Sequence, residues 1–198
     1  RRKVSQTSDN GPETTRQSPV AEDRSPQDSA GERVFLGLGS NLGDREHLLH
    51  RALSALQARG YPLVQCSAVY ETPPWGIAEQ PAFLNQVAEV RSAAEPMALL
   101  RELLAIESEL GRERSLKWGP RAIDLDILAF GQCQRATAEL CLPHPQLQER
   151  AFVLVPWAEI APAFRVPGLG RSVAELLAQL RQREPAEVAA AQQLRTSV

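Results

Sequence analysis

Apolar residues first run together in Arg33–Leu38 (RVFLGL), which predicts a buried strand. Leu48, Leu49, Leu53 and Leu56 then recur at helical spacing, predicting a helix over 45–58 with Asp44 as its N-cap. Gly60 and Pro62 end it. A second strand is expected over 63–70 and a third over 83–90, where FLNQVAEV alternates and sets Phe83, Asn85 and Val87 on one face. The stripe Leu99, Leu100, Leu103, Leu104, Ile106 and Leu110 predicts a second helix over 95–110, with Pro96 in its first turn and Gly111 as its stop. A fourth strand follows over 122–130. After a hairpin excursion at 131–139 come an apolar helix or bent segment over 152–159, a turn at 168–170 and a helix from Ser172 to about Leu180. The order strand, helix, strand, strand, helix, strand, followed by an appendage, predicts an α+β fold: a ferredoxin-like αβ sandwich. Its sheet would be mainly antiparallel, with both helices on one face.

Composition adds boundaries. The chain has 198 residues, 43% hydrophobic and 23% charged, enough for one domain with a core. Residues 1–31 are Ser-, Gln-, Pro- and acid-rich and are read as a disordered tail or linker. The domain is assigned to 32–184, with 185–198 as a helical or frayed tail. The first residue is not Met, so the chain is read as a fragment, a processed product or part of a longer frame. A net charge of −2 gives no general attraction to nucleic acid or to an acidic membrane, so any anion site must be a local cluster of cations. Cys66, Cys133 and Cys141 lack metal spacing and fit a reducing cytoplasm. No apolar run is long enough to span a bilayer, and the N-terminus lacks the apolar segment of a secretory signal.

The chemistry gathers in KWGPRAIDLDIL, residues 117–128. Asp124 and Asp126 alternate with Ile123, Leu125 and Ile127, so both carboxylates leave the strand on one face. Paired carboxylates repel unless a cation or proton intervenes, and a hard dication accepts such oxygen ligands together with water and phosphate. Arg112, Arg114, Lys117 and Arg121 precede the pair, and guanidinium groups grip phosphate bidentately. Glu107 sits near a helix C-terminus, where the dipole disfavours it, so a partner is expected. In GLGSNLGD the glycines around Ser40 and Asn41 permit close approach of backbone to ligand, but no Gly-Lys-Ser/Thr follows, so this is not a P-loop. Trp75, on a stiff Pro-Pro loop, is either a core plug or a wall for a flat ligand. Asn85, beside Phe83, needs a partner: a neighbouring loop or the edge of a heterocycle. His47 and His50 are expected at the surface, and His144 lies between two prolines, followed by Arg150 and Phe152. A nucleotide-phosphate site fits best. An RNA-binding sheet and another Mg²⁺-dependent nucleotide-transfer enzyme stand as the alternatives.

The ordered set GLGSNLGD, YETPPWG, FLNQV, ELGRER, KWGPRAIDLDIL and LPHPQLQERAFVL resembles the 6-hydroxymethyl-7,8-dihydropterin pyrophosphokinase family over residues 34–162. The resemblance implies pyrophosphoryl transfer from ATP to the pterin alcohol, in folate synthesis. It implies two Mg²⁺ ions on Asp124 and Asp126, which with Arg112 and Arg114 form the catalytic set. ATP contacts are implied for Glu107, Arg114, Lys117, Trp118, Arg121, Ile127, His144 and Arg150. The pterin pocket is implied to use Thr72, Pro73, Trp75, Phe83, Asn85, Trp118, Arg121, Asp124 and Phe152, with Phe83 and Phe152 stacking on the ring. The implied partners are these two small molecules and other folate-pathway enzymes, with no nucleic acid and no membrane. The loop between Arg114 and Trp118 is one residue shorter than in some members, and Glu139 stands where some carry a cation.

Overall fold

A computed structural model gives the architecture, describing residues 31–74, 79–111 and 120–194. The expected N-terminal tail, Gly31 apart, lies outside the described residues, as do Trp75, Arg112, Arg114, Lys117, Trp118 and the last four residues. The chain runs β1 (Glu32–Ser40), α1 (Arg45–Ala58), β2 (Leu63–Cys66), β3 (Tyr70–Thr72), β4 (Phe83–Ser92), α2 (Pro96–Glu109) and β5 (Asp124–Phe130). β5 pairs with β1, β1 with β4, and β4 with both β2 and β3, every pair antiparallel. This is the expected ferredoxin-like order. The Asp44 carboxylate accepts a hydrogen bond from His47 N (3.2 Å) and starts α1, while Pro96 starts α2. Both helices cover one face, where Leu49, Leu56, Leu99, Leu103 and Ile106 meet Leu36, Leu38, Leu125 and Ile127. His47 and His50 are exposed on α1, as expected.

The expected second strand is interrupted. Cys66 pairs with Ala88 and Tyr70 with Asn85, so four steps on one strand match three on the other. Ser67 causes the break: Val87 N donates to its Oγ (3.0 Å), so a side chain takes a backbone's place in the ladder.

The C-terminal part is more than an appendage. After a hairpin of β6 (Arg135–Ala136) and β7 (Cys141–Leu142), the chain forms α3 (Ala151–Ile160), a hairpin of β8 (Arg165–Val166) and β9 (Arg171–Ser172), and α4 (Val173–Arg183). These helices cover the second face of the sheet, burying Leu154, Trp157, Leu176 and Leu180 against Phe35, Val87 and Leu128. Phe35, flanked by buried Val34 and Leu36, needs a layer on its own side of the sheet. Ser172 forms a capping box with Glu175 at the start of α4. Where the sequence pattern ended the core at Glu184, the chain continues into α5 (Pro185–Ala190) and β10 (Gln192–Gln193), and β10 pairs with β3 at the sheet edge.

Candidate active site

The register of the sheet builds the site. Gly39 of β1 pairs with Asn85 on one side and Asp124 on the other, and Gly37 pairs with Val87 and Asp126. Cross-strand partners share a face, so β1 puts two glycines between β4 and β5; the Leu128 side chain covers Gly37, and Gly39 is left open. The result is a trough, with Phe83 and Asn85 on one bank and the acid pair on the other. Strand spacing separates the Asn85 and Asp124 backbones by about 10 Å. The trough cannot be filled cheaply: a Cβ at Gly39 would stand 3.2 Å from Asn85 Oδ1 and 3.8 Å from Phe83 Cδ1.

On the acidic bank, Asp124 Oδ2 accepts from Arg121 Nη1 at 2.6 Å. Asp126 is the more open carboxylate, its side chain 42% exposed, with Arg150 Nη1 at 3.8 Å and His144 Nε2 at 4.0 Å. His144 reaches it because its backbone N donates to Leu128 O (2.9 Å), pinning the segment to β5. Burial, then the nearby Arg150 charge, push the His144 imidazole down to about 4 against the opposing pull of Asp124. His144 is therefore neutral at pH 7, and its Nδ1 accepts from Gln146 N (3.2 Å). Burial also lowers the Arg150 pKa, with Asp126 and Asp124 opposing that fall. Glu107 is buried and accepts from Leu125 N (2.7 Å), the residue between the aspartates, so its carboxylate anchors β5. The Ile127 side chain lies in the opposite core and so takes no part in the trough.

On the other bank, buried Asn85 donates from Nδ2 to Thr72 Oγ1 (2.6 Å). Thr72, Pro73 and Pro74 face Ala151 and Phe152 across a small open cleft of about 90 Å³. The Arg150 guanidinium carbon sits 5.5 Å from the Phe152 ring centroid, linking the two banks at the start of α3. Asn41 closes the end of the trough: its Oδ1 accepts from Arg121 N (2.8 Å), and its Nδ2 donates to Gln80 Oε1 and Pro81 O (3.1 Å each).

The fold thus brings Asp124, Asp126, Arg121, His144 and Arg150 together, and sets Thr72, Pro73, Phe83, Asn85 and Phe152 beside them. Sequence reading missed the clasp by Asn41, although GLGSNLGD drew notice, and missed Gln80, Gln146 and Glu187, for which no local signal existed. Among the described residues no three His, Cys, Asp or Glu side chains group as a metal cage. Two carboxylates on one face of a strand, both partly open to solvent, are a donor set that a hard dication can share with water and phosphate oxygens.

A sequence profile described as 7,8-dihydro-6-hydroxymethylpterin-pyrophosphokinase matches residues 35–162. The chain is 47% identical over 149 residues to the 2-amino-4-hydroxy-6-hydroxymethyldihydropteridine pyrophosphokinase of Methylorubrum extorquens, covering 75% of this chain and 93% of that one. It is 45% identical over 148 residues to the protein of the same name from Pseudomonas aeruginosa, covering 74% and 91%. Among solved structures, an HPPK-DHPS chain in complex with substrates superposes with a TM-score of 0.65 at 14% identity. That match covers 84% of this chain but 47% of the other, and it speaks to the fold.

Proposed function

From the premise that the chain belongs to the 7,8-dihydro-6-hydroxymethylpterin-pyrophosphokinase family, we propose that the glycine trough is where its two substrates meet. The protein transfers pyrophosphate from ATP to 6-hydroxymethyl-7,8-dihydropterin, giving the pterin diphosphate and AMP, in folate biosynthesis. The alcohol oxygen bonds to the β-phosphorus of ATP. The bond from that phosphorus to the oxygen bridging the α-phosphate breaks, AMP leaves with the electron pair, and the hydroxyl proton is released.

The observation that carries this reading is the register Asn85–Gly39–Asp124, with a glycine between an amide-and-aromatic bank and an acidic bank. The pterin lies flat between Phe83 and Phe152, with Asn85 at its edge and Thr72 and Pro73 framing it, and Trp75 and Trp118 are assigned to the same substrate. Two Mg²⁺ ions held by Asp124 and Asp126 would neutralise phosphate charge and favour loss of the alcohol proton. Arg121 and Arg150 keep the carboxylates aimed and add fixed positive charge beside the phosphates. Neutral His144 offers a ring nitrogen to the nucleotide, Glu107 holds the strand between the aspartates in place, and the Ile127 backbone lines the base. Arg112, Arg114 and Lys117 are the further cations assigned to the triphosphate.

The setting is the cytoplasm, where the free Cys66, Cys133 and Cys141 persist as thiols. No helix among the described residues is long and apolar enough to cross a membrane. Other folate-pathway enzymes are the candidate partners. An RNA-reading sheet loses its platform here, because α3 and α4 cover the face it would need.

Asp126→Ala should cut AMP formation by roughly a thousandfold in an assay with ATP, Mg²⁺ and the pterin alcohol. Turnover at the wild-type rate would remove the metal role, and a wild-type protein releasing no AMP when all three are present would remove the enzyme itself.

A further inference from the structure

The cleft beside Phe152 has a third wall. Thr72, Pro73 and Pro74 form one side and Ala151 and Phe152 another, while Glu187 and Ala190 of α5 close it. Three ties hold α5 there. Val188 is buried in the second core. Glu187 Oε1 accepts from Ala151 N at 3.2 Å. Beyond the helix, Gln192 and Gln193 pair with Glu71 and Tyr70, and Leu194 N donates to Val69 O (2.7 Å). The C-terminal segment therefore reaches both walls, touching the strand that carries Thr72 and the helix that carries Phe152.

The Glu187 contact is placed where it matters. Ala151 is the first residue of α3, and first-turn N–H groups have no partner within their own helix. A carboxylate there satisfies one such group and suits the helix dipole. Ala151 also sits between Arg150, whose guanidinium faces Asp126, and Phe152, whose ring lines the cleft. A shift of this N-terminus moves the ring relative to the trough. Resting on the acceptor pocket of the preceding section, we propose that Glu187 is a positioning residue. Through Ala151 it sets the gap between Phe152 and the Thr72–Pro73 wall, and with Ala190 it makes the C-terminal segment part of the acceptor site. The segment fixes the width left for the flat heterocycle, and so which ring substituents are admitted.

The test is steady-state kinetics on the full chain, with KM for the hydroxymethyl pterin and for ATP determined separately and thermal midpoints alongside. Glu187→Ala should raise the pterin KM roughly tenfold while leaving the ATP KM unchanged, because a small misplacement of one wall affects only its own substrate. Glu187→Gln keeps an oxygen that can accept from Ala151 N and should restore most of the loss. Ala190→Leu keeps a good helix former, adds bulk to the wall and should raise the pterin KM at an unchanged thermal midpoint. If Glu187→Ala fails to fold, Ala190→Leu decides. A wild-type pterin KM in Ala190→Leu, equal losses for both substrates in Glu187→Ala, or no rescue by Gln each overturns the proposal. A wild-type chain that forms no AMP removes the enzyme reading and this inference together, whereas normal wild-type turnover with unmoved variants removes this inference alone.

Discussion

Asn41 is 2% exposed, and both ends of its amide are used. It joins the end of β1 to residues 80–81 and to residue 121, which lie close in sequence to Trp75 and to the arginines. Replacing it with Ala removes three part-buried hydrogen bonds, at a cost of about 2 kcal/mol. Asn41→Ala should therefore lower the thermal midpoint by several degrees and cut kcat/KM by roughly tenfold, since Gln80, Pro81 and Arg121 lose their common anchor beside the acid pair. A variant with a lowered midpoint but an unchanged kcat/KM would show that the clasp serves stability alone. Residues differ in how much of this can be read from sequence. Asp124 and Asp126 were legible because strand period alone sets them on one face. The Asn41 clasp was not, because its partners lie 39, 40 and 80 positions away, and no local pattern reports where an amide will meet another loop.

At the scale of elements, β1 decides the site by what it lacks. Val34, Leu36 and Leu38 fill the core under α1 and α2 and Phe35 the second core, while Gly39 leaves that second face open between Asn85 and the acid pair. Gly39→Ala tests this, since the new methyl would press on Asn85 Oδ1 and stand in the trough. The fold should survive, because Ala is tolerated in a strand and the backbone here needs no positive φ. Pterin affinity by titration calorimetry should fall roughly tenfold, and unchanged affinity would mean the ligand does not lie against β1. Element types were legible where one period held, as in α1, α2, β4 and β5. The second strand was drawn through its break because Ser67 fits an alternating pattern, and only its hydroxyl bond to Val87 N reveals the bulge. α3 resisted a firm assignment because it is apolar all round and carries Pro156, so no stripe pointed to a partner.

The whole molecule is three layers, and the joint between the sheet and its second helical layer, apolar at its centre, is polar along the edge near β2. Buried Glu89 on β4 takes Arg33 Nε at 2.7 Å and Gln65 Nε2 at 2.9 Å, and Gln65 also donates to Ile160 O (3.1 Å) at the end of α3. Glu159 accepts from Ala68 N (3.0 Å) and Tyr70 OH (2.9 Å), tying the same helix to the other side of the bulge. This layer was read as an appendage because its contacts are long-range and no turn of helix announces them. Burial alone would raise the Glu89 pKa, but the hydrogen bonds from Arg33 and Gln65 and the charges of Arg33 and Arg91 outweigh it and hold the carboxyl below its ordinary value. A depressed folded-state pKa means the unfolded chain binds the proton first as pH falls. The stabilisation is therefore complete above the ordinary glutamate value of 4.5 and is lost as pH drops through the lower folded value. Glu89→Gln keeps the shape but gives up the charge-assisted bonds, and should cost roughly 1–3 kcal/mol at pH 7 by urea unfolding. Repeating the unfolding at successively lower pH below 4.5 should bring the two proteins together, because wild type loses in acid what the variant never had. A gap that stays constant across that range would mean that Glu89 acts through packing, and that the joint between the layers does not depend on its charge.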